Sequence, residues 1–167
     1  TLLAAGASLI KILADPYTQL PAMTYWLLGS LSAVTQADVR AAAPAVACGL
    51  VPLWLLRWRV NLLSLADEEA SAMGVDVRRL RVALVAAATL ITAAAVSISG
   101  TIGWVGLVGP HVARLMVGPD FRRLLPMALV LGAAFLVAAD TAARTVAATE
   151  VPLGVLTAAI GAPLFLW

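Results

Sequence analysis

Long apolar runs separated by short polar turns constrain this chain more than any other feature of its sequence. A membrane-spanning helix needs roughly 20 mostly apolar residues to cross a bilayer. Apolar residues make up 62% of the chain and charged ones 12%, against roughly 45–50% and 25% in soluble domains. The runs are Leu2–Leu13, Val39–Trp58, Val82–Ser97, Gly103–Val117, Leu124–Ala147 and Leu153–Trp167. The sequence therefore predicts an all-α, polytopic transmembrane bundle forming a single domain over residues 1–167. We expect the helices of the first and last runs to be incomplete.

Arginines concentrate on one side of this predicted bundle. If successive runs alternate in direction, the turns around Asp67 and Asp120 face the same side of the membrane. The arginines near these two turns are Arg57, Arg59, Arg78, Arg79, Arg81, Arg114, Arg122 and Arg123. The opposite side has Lys11, Arg40 and Arg144. Because cytoplasmic loops are enriched in Lys and Arg, we expect the arginine-rich side to face the cytoplasm.

Two segments between the runs predict short helices that do not span the hydrocarbon. Residues 19–34 are moderately apolar and polar at their edges, which favours an interfacial or re-entrant helix. Residues 64–81 form the longest polar stretch, in which the acids Asp67, Glu68 and Glu69 precede helix-forming residues and Gly74. Acids suit the start of a helix and glycine suits its end. This second helix is either a solvated loop helix or a docking element for a cytoplasmic partner.

Glycine recurs at every third position around the start of the fourth run, at Gly100, Gly103, Gly106 and Gly109. A Walker-type phosphate loop needs Lys and Ser/Thr after its last glycine, and Pro110 and His111 stand there instead. The glycines therefore predict a tight turn and close helix contacts. Pro110 lacks a backbone donor, so we expect it to kink or unwind the fourth run.

Charged residues inside the apolar runs are few. Asp140 and Arg144 lie four residues apart on one predicted helix face. They are either a mutually neutralising pair or part of a functional surface. An ion-gradient-driven secondary transporter is an alternative function, for which Asp140 is the one mid-span carboxylate.

Catalytic and metal-binding patterns are missing from the sequence. It has no HExxH or GxSxG motif, and His111 and Cys48 are its only histidine and cysteine. Dispersed arginines do not form a nucleic-acid footprint. We therefore expect no enzyme activity, no catalytic residues, no metal or cofactor bound by this chain, and no nucleic-acid partner.

Several motifs, in order along nearly the whole chain, resemble the FecCD family, the permeases of ABC importers for ferric siderophores, haem and cobalamin. They occupy residues 13–16, 20–31, 106–115, 120–126, 139–144 and 150–165. The resemblance implies the C-terminal half of a permease that has ten membrane helices and works as a homodimer. It also implies a multi-pass protein of the bacterial inner membrane, which imports an iron-siderophore, haem or corrinoid complex. Partner subunits would hydrolyse the ATP, and molybdate also remains open as a substrate.

The resemblance also implies roles for individual segments. Residues 19–34 correspond to a periplasmic gate helix, and residues 64–81 to the coupling region that seats in the cytoplasmic ATPase. The coupling residues would be Asp67, Glu68, Glu69, Ala70, Met73, Gly74 and Val75. Arg144 corresponds to an arginine that pairs with a glutamate of the periplasmic substrate-binding protein. Structural or gating roles fall to Gly100, Gly103, Gly106, Gly109, Pro110, Asp140, Gly161 and Pro163.

Overall fold

The computed structural model describes residues 2–145 and 151–166, and every regular element in these ranges is helical. The elements are α1 Leu2–Leu13, α2 Gln19–Leu28, α3 Gln36–Val60, a 3-10 helix Asn61–Ser64, α4 Asp67–Ala72, α5 Val77–Ser99, α6 Val105–Val117, α7 Phe121–Thr145 and α8 Leu153–Leu166. The predicted all-α architecture is confirmed. Glu150, the ends of two predicted runs at Ala147 and Trp167, and residue 1 lie outside the described residues.

Within the described residues, three helices are long and apolar enough to cross a membrane: α3, α5 and α7. Their 25, 23 and 25 residues rise about 35–38 Å at 1.5 Å per residue, which exceeds the roughly 30 Å of bilayer hydrocarbon. In the most apolar window of each helix only 6% to 11% of the residues are buried within the chain. Apolar surface of this extent needs a lipid or protein cover. The chain is a multi-pass membrane protein.

The fourth apolar run differs from its prediction in two ways. The helix α6 has 13 residues, about 20 Å of rise, so the helix alone covers only part of the hydrocarbon. The non-helical residues 100–104 before it make up the rest of this crossing, which ends beside Asn61 at Asp120. The helix also runs continuously through Pro110, so the expected unwinding there was wrong, whereas a kink at Pro110 stays a prediction. A proline in a helix removes one backbone bond, whereas the chain is interrupted upstream, where Gly100 and Trp104 take φ values of +69° and +66°.

The long helices pack as two pairs, α3 with α5 and α6 with α7. Gly49 of α3 is buried, and an added β-carbon there would lie 2.5 Å from Cγ1 of Ile91 in α5. In the second pair, a β-carbon at Gly109 would lie 3.5 Å from the α-carbon of Gly132. Small residues let membrane helices approach closely. Contacts of α7 with α3 join the two pairs, and α8 packs on α6 and α7.

Candidate functional site

The segment between α3 and α5 forms a compact projection at the arginine-rich end of the bundle. The first turn of α4 has Asp67, Glu68 and Glu69, which interact favourably with the positive end of the helix dipole. Beyond the helix, the Gly74 N–H donates to the Ser71 carbonyl at 2.9 Å, and the next N–H, of Val75, donates to the Ala70 carbonyl at 3.3 Å. With Gly74 at φ +81°, this is a Schellman motif. The predicted glycine stop is confirmed.

The seven predicted coupling residues divide into two sets by burial. Ala70 and Val75 are 1% and 8% exposed, and α4 packs on α5 and on the 3-10 helix. The other five are exposed: Asp67, Glu68, Glu69, Met73 and Gly74. Met73 in particular is a large apolar side chain that is 60% exposed. The segment therefore presents an acidic surface with one apolar anchor, held in place by two buried aliphatic residues.

An ion pair fixes the direction of α4. Arg81 of α5 donates from Nη2 to Oδ1 of Asp67 at 3.2 Å. Both side chains are exposed, so this pair orients the segment and adds little to stability. Asp76 begins α5 by accepting the Arg79 N–H at 2.9 Å, which is the standard arrangement of an N-cap. Residues 77–81 of the predicted coupling region are thus the first turns of α5.

A second polar junction lies at the same end, where the 3-10 helix meets the start of α7. The Asn61 side chain donates from Nδ2 to Oδ1 of Asp120 at 2.6 Å and accepts the Phe121 N–H on Oδ1 at 2.8 Å. Asp120 also accepts the Arg122 N–H at 2.9 Å. These three hydrogen bonds, which we call the Asn61 clasp, place the two arginine-rich turns side by side, as the alternating topology predicts.

The clasp keeps the Asp120 carboxylate ionised. The hydrogen bond from Asn61 lowers the pKa of Asp120, with further lowering by the Arg122 N–H and by the charges of Arg122 and Arg123. A lowered pKa means that the ionised clasp is intact above the ordinary pKa of aspartate, about 3.9, and is lost only as the pH falls through a lower value. Asp120 therefore stays ionised, and the hydrogen bonds of the clasp stay intact, at physiological pH. Sequence reasoning missed Asn61, because its partner lies 59 residues away and no local pattern links them.

The opposite end of the bundle is a junction of α2, the end of α5 and the start of α8. The Ser30 N–H donates to the Ser99 carbonyl at 3.0 Å, and the Leu153 N–H donates to the Gly29 carbonyl at 2.9 Å. The Thr101 hydroxyl donates to the Leu27 carbonyl at 2.7 Å. The predicted gate segment, residues 19–34, is thus bonded to two membrane helices.

The helical part of that gate segment is shorter than predicted. It ends at Leu28, because Gly29 takes φ +75° and closes the helix with its N–H on the Trp26 carbonyl. The remaining residues, up to Val34, form turns and bends.

Three glycines make this junction possible. A β-carbon added at Gly100 would clash with the Trp26 carbonyl oxygen, and one added at Gly154 would clash with the Leu28 carbonyl oxygen. A β-carbon at Gly29 would lie 2.7 Å from the Thr101 carbonyl oxygen. Sequence reasoning found Gly100. It placed Gly154 only within the family motif of residues 150–165, and it missed the role of Gly29.

The remaining glycines and prolines with predicted structural roles differ in burial and in close contacts. Gly161 is buried, and a β-carbon there would lie 2.7 Å from Cβ of Trp104. Gly103 and Gly106 have no described atom within 4 Å of such a β-carbon, so their expected close contacts are not seen. Gly106 and Pro110 instead line an apolar cleft between α5, α6 and α7. Pro163 is exposed.

Asp140 and Arg144 form a two-pronged ion pair near the end of α7. Nε of Arg144 donates to Oδ2 of Asp140 at 2.8 Å, and Nη2 donates to Oδ1 at 3.2 Å. The side chains are 28% and 47% exposed, respectively. Ser30 and Ser32, in the turn after α2, line a small pocket with this pair. The structure therefore brings Arg144 to the surface at the junction end, opposite to the coupling segment.

Comparisons with known proteins agree with these features. The model of the FecCD transport family matches residues 1–167. An iron chelatin transport system permease protein of Helicobacter pylori is 44% identical over 165 residues, covering 99% of this chain and 50% of the relative. The cobalamin import system permease protein BtuC of Halobacterium salinarum is 52% identical over 147 residues, covering 88% and 39%. The molybdate import system permease protein MolB of Haemophilus influenzae is 39% identical, covering 98% and 49%.

A solved structure agrees as well. An inward-facing metal-chelate-type ABC transporter superposes with a TM-score of 0.90 at 38% identity, covering 98% of this chain and 55% of the other. The chain thus spans about half of the length of the curated relatives that it matches.

Proposed function

The chain belongs to the FecCD transport family, and we propose that it is part of the permease of an ATP-driven importer. The permease works as a homodimer in the bacterial inner membrane. Two cytoplasmic ATP-binding subunits drive it, and a periplasmic substrate-binding protein delivers the cargo. This chain itself binds no cofactor, because the ATP is bound and hydrolysed by the partner subunits.

One observation carries this proposal: an acid-led helix with an exposed methionine projects from the arginine-rich end between two spanning helices. Its exposed acidic side chains and Met73 offer a surface that a cytoplasmic subunit can bind. When ATP closes the ATP-binding subunits, the projection moves with them. Its attachment to α5 through Ala70, Val75 and the Arg81–Asp67 pair then transmits that movement to the membrane helices.

The opposite end of the bundle supports the proposed docking of the binding protein. Arg144 lies on the surface there, where a carboxylate of the binding protein can reach it. The predicted gate segment is bonded to α5 and α8 beside it. We therefore propose that docking of the binding protein at Arg144 is coupled to movement of this segment, which opens or closes the translocation path.

The cargo that we propose is a metal chelate, haem or a corrinoid. The relatives are named as permeases for iron chelatin, cobalamin, hemin and molybdate, and molybdate is the smaller alternative. The secondary-transporter alternative requires a mid-membrane carboxylate available for an ion. Asp140 is instead engaged by Arg144, which favours the ATP-driven mechanism.

Co-purification of the whole permease with its ATP-binding subunits in detergent tests the proposal. Met73→Asp places a charge on the exposed apolar anchor and should reduce retention of the ATP-binding subunits at least fivefold. Tyr17→Asp is the matched control, since Tyr17 is 90% exposed in the loop at the opposite end, and it should retain them fully. Deletion of residues 66–75 should abolish ATP-driven uptake into liposomes. Uptake driven by a proton gradient without ATP would contradict the proposed function.

A further inference from the structure

The Asn61 clasp joins the segment that leads into α4 to the first turn of a different membrane helix. Asn61 follows α3 directly and begins the 3-10 helix on which α4 packs. Its side chain reaches both the Asp120 carboxylate and the Phe121 N–H, and Phe121 begins α7. The two segments are 59 residues apart in sequence, so the clasp is a tertiary link between the two helix pairs.

The clasp is well suited to hold a defined geometry. The Asn61 amide group presents its donor and its acceptor to the same turn, so the turn cannot shift or rotate without losing a bond. Asp120 is at the same time the residue whose carbonyl accepts the Arg123 and Leu124 N–H groups at 3.0 and 2.9 Å. Asn61 therefore bonds directly to Asp120, the residue that caps the N-terminus of α7.

The clasp can also open without repacking the core. Asn61, Asp120 and Phe121 are only partly buried, and they line an open cleft together with Arg114 and Leu124. Water can enter such a cleft and replace the hydrogen bonds. A polar link of this kind is easier to break and remake than interdigitated apolar packing.

The helix α7 leads from the clasp to the opposite end of the bundle. The helix is continuous over 25 residues from Phe121 to Thr145, and Asp140 and Arg144 lie near its other end. A displacement at the start of a continuous helix moves its far end as well. The clasp therefore lies on a continuous connection from the coupling segment through α7 to the proposed docking surface.

We infer that Asn61 is a positioning residue for transport: through its hydrogen bonds to Asp120 and Phe121, it transmits movement of the coupling segment to α7. This inference rests on the proposed function, because it requires that α4 contacts an ATP-driven subunit. It adds a second path, beside the Arg81–Asp67 pair, between the projection and the membrane helices.

A swap of the two side chains tests the inference in the whole importer reconstituted in liposomes. The readout is the ratio of ATP hydrolysis with and without the substrate-loaded binding protein. Asn61→Ala should lower this ratio at least fivefold. Asn61→Asp should lower it as much, since two carboxylates then face each other. The double variant N61D/D120N restores a donor opposite an acceptor and should return the ratio to within twofold of wild type.

A control variant and the wild-type importer separate a failure of the clasp from a failure of the proposed function. Ser97→Ala removes a side-chain hydrogen bond that stays within α5, and it should leave the ratio within twofold of wild type. Failure of the wild-type importer to show any stimulated hydrolysis would count against the proposed function. An Asn61→Ala ratio within twofold of wild type would overturn the clasp. A ratio for the double variant that is no higher than the ratio for Asn61→Asp would also overturn it.

Discussion

At the scale of single residues, the ion pair of Asp140 and Arg144 fits both interpretations that the sequence left open: a mutually neutralising pair and part of a functional surface. The pair is mutually neutralised through two hydrogen bonds, of 2.8 and 3.2 Å. It is also nearly half exposed at Arg144, so the guanidinium can still meet a partner. Asp140 then competes with the carboxylate of the proposed binding protein for the same donors.

Removing that competition should tighten docking. An exposed ion pair is worth about 0.2–1 kcal/mol, so Asp140→Asn should raise the affinity of the permease for the binding protein by up to about fivefold. Arg144→Glu should weaken it at least tenfold, because like charges then meet. Surface plasmon resonance with the detergent-solubilised permease measures both. A weaker complex with Asp140→Asn would show that Asp140 holds Arg144 in its docking position instead.

At the scale of elements, the glycines between α5 and α6 show what a sequence pattern can and cannot predict. The regular spacing treats Gly100, Gly103, Gly106 and Gly109 alike. The structure separates them, since Gly100 needs a positive φ and closely approaches α2, whereas Gly103 faces open space. Which glycine contacts a neighbour depends on helices that are distant in sequence, and spacing alone does not encode that.

Two alanine substitutions test this distinction. Gly100→Ala combines a backbone conformation that is essentially restricted to glycine, with φ +69° and ψ −163°, which costs about 1–3 kcal/mol for other residues, with the clash at the Trp26 carbonyl. It should lower the thermal unfolding midpoint of the whole permease in detergent by several degrees. Gly103→Ala is the matched control and should leave the midpoint within about one degree. Equal midpoints for the two variants would contradict the assigned role of Gly100.

Other elements were predictable to different degrees. Apolar run length and terminal signals predicted the spans and the end of α4 at Gly74, because both depend on residues close in sequence. The short length of α6 was missed, since its interruption includes Trp104 at φ +66°, a conformation that sequence rarely announces. The Asn61 clasp was missed because it is a purely tertiary contact.

At the scale of the whole molecule, the account depends on two chemically different ends. One end has the projecting helix α4, the Asn61 clasp and most of the arginines. The other has the α2–α5–α8 junction and Arg144. The three spanning helices between them expose apolar surface that lipid or the rest of the permease must cover. Every proposed role follows from which end faces the cytoplasm.

The most direct test is therefore the side on which each end is accessible. Single cysteines introduced as Ser71→Cys in α4 and Ser32→Cys after α2, in a Cys48→Ser background, replace exposed serines at the two ends. A membrane-impermeant maleimide applied to intact spheroplasts should label the Ser32→Cys variant only. The same reagent applied to inverted membrane vesicles should label the Ser71→Cys variant only. Labelling of the Ser71→Cys variant in intact spheroplasts would contradict the account, because α4 could then not contact an ATP-driven subunit.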